Sequence, residues 1–312
     1  PKYSDSSEKR IKDILNCSPP DFYLMFLLDV IKETEKKKAA VGHFNISDLA
    51  ALKAIFAAAK SLSLPVIIGV SAGAADFIGR KQAAALVSGL REEYGWPIFL
   101  NSDHTHSFAK IKEAVAAGFD AVLFDGSKLP LEENVKATRE VVEYVKGVNE
   151  KIVVEGEIGY IGGSSQILKE IPAGAAIRDE DLTTPEEAER FVKETGVDLL
   201  SPAVGNIHGM FKNAPNPRLN IGNIEKIKKA GGVPLVLHGG SGIRDDDFRA
   251  AIAAGISVIH INTEIRLAWR QALEKSLKEN PEEISPYKIL PAAVEGVRAV
   301  VEERLKLFNG LV

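Results

Sequence analysis

The 312-residue sequence has a single cysteine, Cys17, and that scarcity removes an internal disulfide framework and fits a reducing compartment. Any bound metal must therefore be held by histidines and carboxylates. Long apolar runs are missing as well: FYLMFLLDVI (22–31) is too short to span a bilayer and is interrupted by Asp29. A formal net charge of -4, spread along the chain, leaves no basic stripe for nucleic acid and no polybasic tail for membranes. The opening KYSDSSEKR does not resemble a cleaved signal peptide. These absences give the expectation of a cytoplasmic protein with neither nucleic acid nor membrane as a partner.

What is present is the mix of a soluble globular chain, 45% hydrophobic and 26% charged, long enough for two ordinary domains or one large α/β barrel. Periodicity chooses between them. Eight β-rich runs recur: AAVGHF (39–44), PVIIGV (65–70), PIFLNS (97–102), AVLFDG (121–126), KIVVEGE (151–157), LLSPAV (199–204), PLVLHG (234–239) and SVIHIN (257–262). Between them lie stretches such as FAKIKEAVAAG and DDDFRAAIAAG, whose apolar residues recur at helical spacing. Thr184-Pro185-Glu186-Glu187 reads as a capped helix start, and Gly118, Gly196 and Gly255 fall where helices end. Eight strands alternating with helices predict an α/β fold, a (β/α)8 TIM barrel over residues 39–312 with further C-terminal helices, preceded by a helical extension at 1–38. The glycine-rich connection 157–184 is too long for a simple link and reads as a lid or functional loop.

In such a barrel the active site forms at the C-terminal ends of the strands. His43, His104, His106, His208, His238 and His260 are all the histidines of the chain, and all six fall at or near those ends. One histidine in that position is usually structural, but imidazoles from different strands make a binding shell for a borderline divalent ion. His104, His208 and His238 are the candidate ligands, with Glu157 as a fourth group. Asp103, next to His104 on alternating backbone, suits a general acid or base. Asp125 is either an accessory metal carboxylate or a turn cap. HGGSG (238–242) and INTE (261–264) follow the last two strands, where barrels of this kind hold phosphate.

The pieces GHFNISD, PVIIGVSAGAA, SDHTHSF, GFDAVLFDGSKLPLEEN, VEGEIGYIGG, TGVDLLSPAVGNIHGMFK and PLVLHGGSG, in this order, resemble the class II, metal-dependent fructose- and tagatose-bisphosphate aldolases across residues 39–270. The resemblance implies a divalent metal, Zn2+ first, on His104, His208 and His238, with Glu157 as an additional or alternate ligand. It implies Asp103 as the catalytic acid/base. It places substrate phosphate against Gly209, Lys212, Gly239, Gly240, Ser241, Asn262 and Thr263, with a monovalent cation, Na+ or K+, near the same glycines. Asn45 and Ser71 match positions lining the substrate pocket, and Asp125 and His260 are accessory positions. The implied chemistry is cleavage or formation of a C–C bond between a dihydroxyacetone-phosphate-like ketone and an aldehyde, by a homodimer or homotetramer acting on a phosphorylated ketose.

The departures matter too. Asn101-Ser102-Asp103-His104 stands for the usual His-x-Asp-His, and His260 for an asparagine. Ser164-Ser165 replaces the acidic pair of the mobile loop, leaving Glu170 and the cluster Asp179 to Asp181 as distant substitutes. Ser285-Pro286-Tyr287 replaces the Asp-Pro-Arg that brings an arginine to the far phosphate. The expected aldehyde partner accordingly lacks a phosphate or has it bound differently. A phosphosugar-binding protein without catalysis and a metal-dependent hydrolase are the alternative readings.

Overall fold

Runs such as Val66-Ile67-Ile68 are apolar on both faces because both faces are covered, one by helices and one by the barrel interior. The computed structural model describes residues 25–163 and 165–312. Helix α1 (Leu27–Lys36) precedes β1 (Val41–Asn45), α2 (Leu49–Leu62), β2 (Val66–Ser71), α3 (Ala72–Ile78), α4 (Arg80–Tyr94) and β3 (Ile98–Thr105). There follow α5 (Phe108–Ala117), β4 (Ala121–Phe124), α6 (Leu131–Val148), β5 (Val153–Ile158) and a two-residue strand β6 (Ile167–Leu168). Next come α7 (Pro185–Thr195), β7 (Leu199–Pro202), a second short strand β8 (Met210–Phe211), α8 (Ile221–Gly231) and β9 (Leu235–Leu237). The chain ends with α9 (Asp245–Ala254), β10 (Ile256–Ile261), α10 (Thr263–Glu279), α11 (Pro286–Ile289) and α12 (Pro291–Phe308).

All eight expected strands form, and they close in the order β1-β10-β9-β7-β5-β4-β3-β2, every pair parallel. This is the (β/α)8 barrel expected from the alternating pattern. Helix punctuation also follows the sequence. Thr184 and Glu187 form the capping box of α7 with Pro185 at its first position, and Gly118 and Gly196 end their helices in the left-handed region. Gly255 ends α9, also with positive φ.

The proposed extension at 1–38 falls largely on residues 1–24, outside the described residues. Its described part, α1, buries Val30 and Ile31 and packs on β10, where Ser257 donates to Glu35. Helix α12 packs on α2 and α10, seating fully buried Val297, Val301 and Leu305. No described helix is long and apolar enough to cross a membrane.

Two features position the site. The third strand runs three residues beyond its expected end, to Thr105, so Asp103 and His104 lie within β3. Its register to β4 shifts between Ser102 and Thr105, and His104 has φ 44°, a backbone state that costs a residue with a Cβ about 1–3 kcal/mol. The bulge re-aims the His104 side chain. Second, β6 pairs with β8, which pins the long connection after β5 to the loop that carries His208.

Candidate active site

Parallel register sets the rows of side chains inside the barrel mouth. His43 stands beside His260, Asn45 beside Gly69, and Ser71 beside Asp103. The His43 and His260 rings stack with centroids 3.4 Å apart at 5°. Room for the first ring comes from Gly69, where any Cβ would overlap the His43 ring. Burial pushes the His43 imidazole down to about 4 and that of His260 well below its ordinary value, so both rings stay neutral.

His104, His208 and His238 come together, with ring centroids 4.6, 4.6 and 6.0 Å apart and one ligand atom from each within 4.8 Å of the others. Each ring has one nitrogen already engaged. His104 Nδ1 donates to Asp125 Oδ2 at 2.8 Å, His208 Nδ1 to the Gly162 carbonyl at 2.6 Å, and His238 Nε2 to Glu155 Oε1 at 2.7 Å. These bonds, which select the tautomers, leave His104 Nε2, His208 Nε2 and His238 Nδ1 with free lone pairs. Burial holds the His208 imidazole down to about 3, which keeps its lone pair available. Although burial opposes it, the charges of Asp103 and Glu157 raise His104, and the Glu155 charge raises His238. Such rings surrender their protons when a cation takes their place.

Glu157 approaches His104, with Oε2 3.3 Å from Nδ1, and groups with His104 and Asp125 as a second possible set of metal ligands. Burial raises its carboxyl. Asp125, besides holding His104, accepts from the Ser127 hydroxyl at 2.6 Å, so it caps the turn and fixes the His104 ring at once.

Asp103 is buried beside this cluster. Its Oδ2 accepts from Asn45 Nδ2 at 2.7 Å, while Oδ1 is buried without a hydrogen-bond partner, 3.4 Å from His260 Nδ1 and 3.9 Å from His104 Nε2. Burial alone would raise this carboxyl, but the charge of His104 and the neighbouring His260 hold it well below the usual carboxylate range. The result is an ionised carboxylate with one oxygen fixed and one open.

Asp103, His104, Asp125, His208, His238 and His260 line one cavity of about 240 Å3 together with Asn45, Ser71, Gly209, Gly239, Gly240, Ser241, Asn262 and Thr263, whereas Glu157 lies behind its wall. Ser241 Oγ accepts from the N–H groups of Asn262 and Glu264, tying the glycine loop after β9 to the start of α10. The N–H of Gly240 bonds the His260 carbonyl, so Gly240 shapes the wall without offering that donor. Gly239 has φ 64°, and a Cβ there would run into the Ile207 carbonyl oxygen. Gly239→Ala is expected to cost about 1–3 kcal/mol of stability, read as a lower denaturation midpoint. An unchanged midpoint would show that the loop relaxes freely.

Some expected residues fall elsewhere. Lys212 is exposed and does not line the cavity, and Glu170 is exposed as well. Asp181 pairs with Arg178, and Asp179 accepts from Asn220. Ser165 does line the cavity and accepts from Asn262 Nδ2 at 3.2 Å; Ser164 lies outside the described residues. Sequence reasoning missed Glu155 and the Asn45 bond to Asp103. A charged residue in the apolar run KIVVEGE is the one local sign of Glu155, because strand alternation puts it on the same face as Glu157.

Residues 26–310 match the family described as fructose-bisphosphate aldolase class-II. The chain is 39% identical over 291 residues to a fructose-bisphosphate aldolase of Geobacillus stearothermophilus, covering 92% of this chain and 97% of the relative. It is also 39% identical over 283 residues to a 6-phospho-5-dehydro-2-deoxy-D-gluconate aldolase of Shouchella clausii, with coverages of 90% and 92%. Among solved structures, the YdjI aldolase from Escherichia coli superposes with TM-score 0.75 at 29% identity, covering 89% of this chain and 94% of that one.

Proposed function

The chain belongs to the class-II fructose-bisphosphate aldolase family, and from that premise we propose that His104, His208 and His238 hold its divalent ion and Asp103 moves the hydroxyl proton. The family is metal-dependent and its members are lyases acting on phosphorylated ketoses. The observation that carries the residue assignment is the set of three imidazoles, each with one nitrogen fixed by a hydrogen bond and the other free, beside an ionised aspartate. The donor set fits a borderline ion, and zinc is the proposed one. When bound, that ion supplies Lewis-acid polarisation of the substrate carbonyl.

The remaining work falls to the chain itself. Asp103 Oδ1 accepts the proton from the hydroxyl that becomes the aldehyde in cleavage and returns it in synthesis, with Asn45 holding the other oxygen still. The loop 239–241 and the N-terminus of α10 give backbone dipole and hydroxyl contacts for the ketone-side phosphate. Asp103, His208 and His238 are buried, so the charge interactions among them act with little screening by water. The test is metal analysis joined to a screen of phosphorylated ketoses for cleavage abolished by a chelator. Release of dihydroxyacetone phosphate is expected; its absence from every ketose tried would refute the assignment.

Glu155 enters as the residue that orients His238. Glu155→Gln is expected to weaken metal affinity by roughly 10- to 100-fold, measured by competition with a chromogenic chelator. Wild-type affinity in that variant would mean that the His238 ring is held by packing alone.

A further inference from the structure

The loop assigned to the ketone-side phosphate is braced by a carboxylate, and that is the wrong charge for the place. Gly242, directly after the cavity-lining Ser241, donates its N–H to Glu264 Oε1 at 2.9 Å, and Glu264 directly follows the cavity-lining Thr263 at the start of α10. Ser241 Oγ closes the link by accepting from the Glu264 N–H at 3.2 Å. The loop is packed tightly here: a Cβ at Gly242, whose φ is 85°, would meet Asn216 Oδ1 and Met210 Cβ at 2.8 Å. A carboxylate at a helix N-terminus steadies the helix, but it also occupies the positive end of the dipole that an incoming anion would use. A phosphate dianion against Ser241 and Thr263 is repelled by it.

The opposing charge comes from the far end of the chain. Arg304, on α12, lays its guanidinium across both carboxylate oxygens, with Nε donating to Oε2 at 2.8 Å and Nη2 to Oε1 at 3.2 Å. Its Nη1 donates to Oδ1 of Asp245, the first residue of α9, at 3.0 Å, and its guanidinium carbon lies 5.6 Å from the Phe248 ring centroid. The side chains of Arg304 and Glu264 are 14% and 9% exposed, whereas that of Asp245 is 54% exposed. Water therefore screens Asp245 and leaves the Arg304–Glu264 pair to act on its surroundings. The two-pronged contact also fixes the oxygen that holds Gly242.

We infer that Arg304 sets the affinity of the phosphate loop, by neutralising Glu264 so that the loop keeps its brace without repelling a dianion. Arg304 is a positioning residue: it stands behind the cavity wall and acts through Glu264. The last helix thereby does more than cover α2 and α10. The inference rests on the phosphate assignment of the loop and names what tunes it.

The experiment titrates dihydroxyacetone phosphate and glycerol 3-phosphate calorimetrically into metal-loaded wild type, Arg304→Gln, Arg304→Lys, Glu264→Gln and the double variant Arg304→Gln/Glu264→Gln. Arg304→Gln is expected to weaken both affinities by about tenfold or more, and ketose cleavage to show the loss in KM rather than in kcat. Arg304→Lys keeps the charge and is expected to recover part of that loss. Glu264→Gln keeps an acceptor for the Gly242 N–H while removing the charge, so it is expected to bind both phosphates at least as tightly as wild type. The double variant is expected to return to within about threefold of wild type. A merely structural contact would weaken binding in Glu264→Gln and leave the double variant no better than Arg304→Gln. That result overturns the inference, as does an Arg304→Gln affinity within about twofold of wild type. Should Arg304→Gln fail to fold, Glu264→Gln decides alone: equal or tighter binding supports the inference and weaker binding overturns it. A wild type that releases dihydroxyacetone phosphate from a ketose yet binds neither phosphate overturns the loop assignment and this inference with it, while the aldolase reading stands. Binding of both phosphates with the expected variant pattern, but no cleavage of any ketose, supports the inference and removes the aldolase reading.

Discussion

Asp103→Asn is expected to lower kcat for ketose cleavage by roughly 10^2- to 10^4-fold, with metal content unchanged. Asparagine matches aspartate in shape, and its amide can still meet Asn45, so the pocket keeps its form. What is lost is the open, ionised oxygen Oδ1, the atom without a hydrogen-bond partner beside His104 and His260. Because its neighbours hold the Asp103 carboxyl well below the usual range, the wild-type base remains ionised through mildly acidic pH. An acid limb near the ordinary carboxylate value is therefore not expected from Asp103 in the pH profile. Coupled detection of dihydroxyacetone phosphate gives the rate, and elemental analysis gives the metal. Activity above a tenth of wild type would move the proton-transfer role to another group.

His208→Ala is expected to act one step earlier, by emptying the metal site. The loss in affinity should exceed the roughly 100-fold that an outer hydrogen-bond partner supplies, because a lone pair held neutral by burial is removed outright. His104 and His238 then face each other at 4.6 Å without a third nitrogen. The variant should purify with little metal and no chelator-sensitive cleavage, and its far-ultraviolet circular dichroism should match wild type. Stoichiometric metal in this variant would instead favour the alternative set of His104, Asp125 and Glu157. The two substitutions thus separate metal loss from proton-transfer loss at neighbouring positions.

How much of this was legible beforehand can be judged residue by residue. The eight strand runs and the helix ends at Thr184, Gly118 and Gly196 are local signals, set by periodicity and by capping chemistry within a few residues. His104, His208 and His238 could be picked out because a barrel sends all strand ends to one rim. The partner that orients His238 could not, since Glu155 lies 83 positions away and meets it only across the closed barrel. The same holds for the His43–His260 stack, which exists because β1 and β10, the first and last strands, pair in one particular register. Lys212, grouped with the phosphate residues through its family motif, turned out to be exposed, because a motif fixes backbone neighbourhood and not the direction of a long side chain.

The sequence by itself determined the order and kind of the elements, the choice of histidine and carboxylate over thiolate, and the glycine loop after β9. Those follow from residue type and short-range spacing. Only the tertiary structure decided which nitrogen of each imidazole is left free and that Asp103 keeps one oxygen without a hydrogen bond. The physical reason is closure: hydrogen bonds and charge interactions act over a few ångströms, and which groups come within that reach is settled by strand register and helix packing around the ring.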